Sequence, residues 1–152
     1  MENALLAVHV LAGILFVGPV AVTASLFPRI VPLQAGATSR SLRAHPERSP
    51  AAARVLHRVT RGYAMLALGV PIVGLVLAAM QGRMGEIWIT ISMVLTAVAG
   101  GLLALRIVPA QSEALTAPPD RKRLRGLTVL TAVFNLLWAS VVVLMIMRPG
   151  VA

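Results

Sequence analysis

Four long apolar stretches dominate this chain and limit what it can fold into. A helix needs ~20 residues to cross the ~30 Å hydrocarbon core of a bilayer. The stretches cover Ala4–Phe27, Gly62–Met80, Ile87–Val108 and Leu124–Met147. Of the 152 residues, 58% are hydrophobic and 12% are charged, which is more apolar than a soluble domain. We therefore expect an all-α, polytopic membrane protein that forms one domain, an antiparallel bundle of four transmembrane helices.

Basic residues are concentrated in two of the three connections between these stretches, and they account for a formal charge of +9. The first connection and its borders carry seven arginines, from Arg29 to Arg61, and the third carries a cluster at 121–125. The second connection has only Arg83, and the C-terminal end has only Arg148. Because basic loops stay on the cytoplasmic side, both chain ends are expected outside the cytoplasm. The expected location is the bacterial inner membrane.

The basic connections also carry signals for helix starts. Ser49 followed by Pro50 is typical of an N-cap and first turn, so a cytoplasmic stem is expected to precede the second span from about residue 50. The segment before it, around His45, is expected to be an irregular connector. Anionic lipid headgroups are the expected partners of the basic side chains, and no nucleic-acid role is expected. These side chains are Arg54, Arg58, Arg61, Arg121, Lys122, Arg123 and Arg125.

Small and polar residues recur on single faces of the later stretches. Helices associate in lipid through small residues and interhelical hydrogen bonds. Pro71 is expected to kink the second span. The polar positions predicted to pack helices together are Ser92, Thr96, Thr131, Asn135 and Trp138. The alternative for the face that carries Asn135 and Trp138 is the lining of a small-molecule cavity, which would suit a small-solute transporter.

His9 is the one histidine within an apolar stretch. Counting ~1.5 Å of rise per residue from the outer ends of the spans places Met93 and Met145 at a similar depth. Imidazole and thioether donors suit Cu(I), and a histidine–methionine pair also suits haem. Three interpretations remain open for His9: a structural hydrogen bond to a neighbouring helix, a metal or haem ligand, and a proton carrier.

Two short motifs resemble known membrane families. The pattern His9-x2-Ala12-x3-Phe16-x-Gly18 resembles the first-helix signature of the copper-resistance protein D-like superfamily, in which tryptophan usually stands at the position of Phe16. The stretch 145–150 is similar to the end of small bacterial four-helix membrane proteins of unknown function, where a lysine is common in place of Arg148. The resemblance implies a four-helix inner-membrane fold and a link to copper or haem through His9.

The remaining motifs do not indicate an enzyme. The chain has no cysteine, which excludes disulfides and thiolate metal sites. It also has no Gly-rich phosphate loop, no Ser/His/acid set and no paired carboxylates. The sequence therefore favours a small non-enzymatic membrane protein that acts as an oligomer or an accessory subunit. The alternatives are a haem- or copper-handling redox protein that uses His9, and a small-solute transporter.

Overall fold

Four long helices account for the architecture. The computed structural model describes residues 2–34 and 48–149, and every regular element in these ranges is helical. The predicted irregular connector around His45 lies outside the described residues. All four helices are long and apolar enough to cross a membrane, so the prediction of an all-helical protein with four candidate spans is confirmed. The helices are α1 (Ala4–Ile30), α2 (Pro50–Met80), α3 (Ile87–Thr116) and α4 (Arg121–Met147).

Side-chain caps fix the starts of α2 and α4. The Ser49 hydroxyl accepts a hydrogen bond from the Ala52 backbone N–H at 3.3 Å. The Asp120 carboxylate accepts one from the Arg123 backbone N–H at 2.7 Å. Each cap satisfies a backbone donor that has no partner within the helix. α2 consequently starts well before its apolar part, at the position where the sequence indicates a stem.

Prolines alter α1 and α3 in the same way without ending them. A π-helical segment, Gly13–Val17, precedes Pro19 in α1, and a second one, Leu103–Ile107, precedes Pro109 in α3. A proline ring inside a helix clashes with the carbonyl four residues earlier and removes one N–H donor. A π turn widens the helix at that point and accommodates the ring. Both helices therefore run on past the apolar stretches, to Ile30 and Thr116.

The helices pack most closely in pairs. The second half of α1, Gly18–Ile30, packs along the first half of α2 and also contacts α4, while α3 packs along α4. The first part of α1, as far as Ala12, contacts the end of α2, Gly69–Met80. This end of α2 makes little contact with α3, although a short turn joins the two helices. A gap is therefore left between α2 and α3.

Apolar side chains are found both inside and outside the bundle. Phe27 and Phe134 are fully buried and centre the core. Only 11–22% of the most apolar window of each helix is buried. Large side chains such as Leu15, Ile72 and Leu136 are more than half exposed. An outer surface of this kind fits a multi-pass membrane protein, whose helices face lipid.

Candidate functional site

A cavity of about 90 Å³ lies where α1, α2 and α3 meet, near the start of α1 and the end of α4. We call it the His9 cavity. Its polar and sulfur-containing lining comes from His9 on α1, Gln81 and Arg83 after α2, Trp88 to Thr96 on α3, and Met145 and Arg148 at the end of α4. All four helices therefore contribute to one site.

His9 sits between α1 and α2 and is 8% exposed. Its ring lies against Gly74, where an added Cβ would come within 2.7 Å of the imidazole Cε1. The imidazole can therefore occupy this position because residue 74 has no side chain. The Nδ1 atom of His9 is buried and has no hydrogen-bond partner among the described residues. A buried polar atom without a partner is costly in a membrane, so this nitrogen is available to a ligand.

Ser92 supplies a second buried polar atom to the same cavity. The side chain is 2% exposed, and within residues 2–34 and 48–149 its hydroxyl finds no partner. Thr96 follows one turn later and also lines the cavity. The His9 cavity is therefore lined by an imidazole nitrogen and a hydroxyl that both lack a hydrogen-bond partner among the described residues.

The methionines that the sequence places at the depth of His9 also reach this cavity. Met93 and Met145 both line it, so the three candidate ligands come together. A cofactor-sized pocket measures ~300–1,000 Å³, whereas the His9 cavity by itself measures about 90 Å³. A single Cu(I) ion needs only a few soft donors. The imidazole and the two thioethers fit that ion.

Charged side chains lie at the end of the cavity that is lined by Arg83, Trp88 and Arg148, which we call its mouth. Arg83 donates from Nε to the Glu86 carboxylate at 2.7 Å, and the indole N–H of Trp88 donates to the same carboxylate. The hydrogen bond from Arg83 is the main reason that the pKa of Glu86 lies below its ordinary value. Glu86 therefore balances Arg83 and remains ionised. Arg148, in the left-handed conformation at the end of α4, adds a second guanidinium to the lining.

A second, larger cavity of about 270 Å³ lies deeper in the bundle. We call it the mid-bundle cavity. Its walls are mainly apolar or small side chains, with Trp138 of α4 among them. Val17 from the π segment of α1 and Leu103 from that of α3 line it, as does Pro71 of α2. Leu68, where the α-helical pattern of α2 is interrupted, also lines this cavity, so it borders an irregular point of each of the three helices.

The two cavities adjoin. Three residues line both of them, Pro71 on α2 and Met93 and Thr96 on α3. These residues border the gap between α2 and α3. The His9 cavity, which carries the polar side chains, therefore borders the apolar mid-bundle cavity at one proline ring, one thioether and one hydroxyl.

The other predicted polar residues have separate roles in the structure. Asn135 donates from Nδ2 to the Ser25 hydroxyl at 2.8 Å and so links α4 to α1. The buried Thr131 hydroxyl donates to the Thr128 carbonyl of its own helix. Trp138 lies edge-on to Phe134, with ring centroids 6.4 Å apart. A polar transport path along this face of α4 stays a prediction.

The predicted lipid-contact residues are all exposed. They lie on the stem of α2 and on the first turns of α4, away from both cavities. They are Arg54, Arg58, Arg61, Arg121, Lys122, Arg123 and Arg125.

A buried amide near this basic end did not stand out in the sequence. Gln111 is fully buried, and its Oε1 lies 3.2 Å from Nδ1 of His57 on the α2 stem. A single glutamine in a polar helical segment carries no sequence signal for burial. The contact joins the end of α3, beyond its apolar part, to the stem of α2.

Comparisons of the chain with protein-family models, curated proteins and solved structures found no match. The resemblance to the copper-resistance protein D-like superfamily accordingly rests on the two sequence motifs alone. Function is therefore inferred from the geometry of the two cavities.

Proposed function

We propose that this chain is a non-enzymatic, multi-pass protein of the bacterial inner membrane that binds a small ligand in the His9 cavity. The observation that carries the proposal is the pairing of His9 Nδ1 with Ser92 Oγ, two buried polar atoms without described partners on one cavity. Isolated polar groups in a low-dielectric interior cost several kcal/mol (~2–7 by transfer measurements). A ligand that bonds to both atoms offsets that cost.

The proposed arrangement in the membrane is an antiparallel bundle with both chain ends outside the cytoplasm. Two features support it: the basic stem of α2 and the basic first turns of α4. The His9 cavity then opens in the outer leaflet. Alkaline phosphatase fused to either chain end should be active in intact cells, and activity of a cytoplasmic reporter at either end instead would overturn the orientation.

Mass spectrometry of the protein in lipid nanodiscs tests ligand binding directly. Wild-type protein should retain a non-protein mass, and Gly74→Ala should lose it because the new methyl displaces the His9 ring. Gly69→Ala on the same helix is the matched control, since an added Cβ there meets nothing within 4 Å. Equal retention in the two variants would contradict the proposal.

Cu(I) is a second candidate for this cavity, favoured by the two thioethers beside the unpartnered imidazole nitrogen. His9, Met93 and Met145 would hold the ion, and the supporting chemistry is the preference of Cu(I) for soft sulfur and imidazole donors. Copper bound per protein should fall in His9→Ala and in Met93→Leu. Met147→Leu is the control, because Met147 is 73% exposed and lies outside the cavity lining. Copper content that is unchanged in all three variants would remove this candidate.

The proposal also includes two kinds of contact. The exposed apolar surface of the helices supports formation of an oligomer or a role as an accessory subunit. The exposed guanidinium groups support contact of the basic helix ends with anionic headgroups. Native mass spectrometry in mild detergent should show a mass above that of one chain. A strictly monomeric protein without partners would count against this part.

A further inference from the structure

We infer that the His9 cavity and the mid-bundle cavity together bind one single-chain lipid with a carboxylate head, a fatty carboxylate. The head lies at the mouth near Arg148, and the hydrocarbon chain lies in the mid-bundle cavity. This inference rests on the proposed function, since it names the class of ligand that the His9 cavity takes.

The closeness of the two cavities is the first support. Pro71, Met93 and Thr96 line both, so the cavities border each other between α2 and α3. Along α3 the lining runs from Trp88 to Ala104, which corresponds to ~24 Å at 1.5 Å per residue, and the part beyond Ser92 corresponds to ~18 Å. Half of a ~30 Å hydrocarbon core is ~15 Å. The part of the lining beyond Ser92 therefore has about the length of an acyl chain in one leaflet.

The mid-bundle cavity matches the tail of such a lipid. The cavity has mainly apolar walls, and small residues such as Ala97, Gly100 and Gly101 leave room along α3. Its volume of about 270 Å³ lies just below the ~300–1,000 Å³ range of small-ligand sites. This space suits one hydrocarbon chain better than the two chains of a phospholipid.

The mouth matches a carboxylate head. The one acidic side chain at the mouth in the described structure, Glu86, is already bonded to Arg83 and Trp88. Arg148 brings a further guanidinium, and guanidinium–carboxylate pairs form strong, charge-assisted hydrogen bonds. His9 Nδ1 and the Ser92 hydroxyl lie just inside and can donate to the same head. Polar head and apolar tail are thus recognised in two cavities that border each other.

The two tryptophans of the chain provide a reporter for each end, because Trp88 lines the His9 cavity and Trp138 lines the mid-bundle cavity. The variant Trp138→Phe leaves only Trp88, and Trp88→Phe leaves only Trp138. Bromine quenches indole fluorescence on contact. The chain has no cysteine, and an unchanged protein mass after the titration shows that the bromide has not alkylated His9 or the methionines of the cavity. The probe is dodecanoate that carries bromine either at its terminal carbon or next to its carboxylate.

The expected result is a saturable quench that depends on the position of the bromine. Terminal bromine should quench Trp138 more than Trp88, and bromine next to the carboxylate should do the reverse. Arg148→Gln should weaken binding by about tenfold through loss of the charge-assisted bond. Arg29→Gln, an exposed arginine near the end of α1 that lines neither cavity, should bind as wild type. Equal quenching of both tryptophans without an effect of Arg148→Gln would show simple partition into the bilayer and overturn the inference.

A short probe separates this inference from the proposed function. Butyrate with bromine next to its carboxylate reaches only the His9 cavity and should quench Trp88 more weakly than dodecanoate. Gly100→Leu, which fills the mid-bundle cavity, should weaken dodecanoate but leave butyrate unchanged. If both probes bind alike in wild type and Gly100→Leu, the chain site is wrong and the His9 site stands. If neither probe quenches Trp88, both proposals fail for carboxylate ligands.

Discussion

The imidazole of His9 on α1 occupies the space that a side chain at Gly74 on α2 would need. An added Cβ at Gly74 would lie 2.7 Å from Cε1, 3.3 Å from Nδ1 and 3.4 Å from Nε2 of the ring. The two residues therefore pack directly against each other where the first part of α1 meets the end of α2. Because a contact of 2.7 Å is too short for a real Cβ, the ring has to shift if a methyl group is added at residue 74.

Gly74→Ala should lower the free energy of unfolding by ~1–3 kcal/mol, the usual cost of overpacking. Gly69→Ala should change it little, because its methyl meets open space. Denaturant titration in detergent micelles measures both. In the double variant His9→Ala, Gly74→Ala most of the loss caused by the methyl should disappear, since the clash has been removed. Additive losses in the double variant would contradict a direct contact.

Asn135→Ala should destabilise the bundle by ~0.6–1.7 kcal/mol, the range measured for interhelical hydrogen bonds in a membrane protein. The reason is loss of the bond to Ser25 between α4 and α1. Ser140→Ala is a suitable comparison, because the Ser140 hydroxyl bonds only to the Leu136 carbonyl of its own helix. A larger effect at Ser140 than at Asn135 would argue against the link between helices.

Asp120→Ala should lower stability by ~0.5–2 kcal/mol, because it removes the N-cap of α4. Asp120→Asn keeps an acceptor oxygen at the cap and should retain most of the stability. Thermal unfolding followed by circular dichroism measures the three proteins. Equal loss in both variants would show that the negative charge matters more than the cap.

The acid titration of Glu86 should be visible in the fluorescence of Trp88, whose indole N–H donates to this carboxylate. The folded pKa lies below the ordinary value, so the contribution of this ion pair is present above the unfolded pKa. It is lost as the pH falls through the folded pKa. In Arg83→Met the fluorescence transition should move to higher pH. The variant Trp138→Phe isolates the signal, and an unmoved transition would assign it to another group.

Local features of the sequence predicted the parts of the fold that local chemistry controls. Apolar length gave the four helices, and the side chains of Ser49 and Asp120 cap α2 and α4 as their positions indicate. The π segments before Pro19 and Pro109 were not predicted. A proline in an apolar run is compatible with a kink, a helix end or a widened turn, and packing decides among them.

The candidate site was only partly accessible from the sequence. Depth along the helix axes grouped His9, Met93 and Met145, and all three line one cavity. Depth does not give the rotation of each helix about its axis. The contact of Gly74 with the ring and the place of Arg148 at the mouth follow from that rotation, so they required the structure. The mid-bundle cavity arises from the gap between α2 and α3, which no local pattern encodes.

The π segment of α1 has a consequence for His9, which precedes it by one turn. A π turn contains about one more residue than an α turn, and each residue of a regular α-helix corresponds to a rotation of ~100° about the helix axis. If residues 13–17 formed a regular α-turn with no change in their number, the imidazole would rotate by ~100° about the helix axis, away from the cavity, and the Pro19 ring would come back against a carbonyl. Pro19 and His9 are ten positions apart, yet both depend on the same π segment. The segment removes the clash of the Pro19 ring with the backbone, and it also sets the direction in which the His9 side chain points.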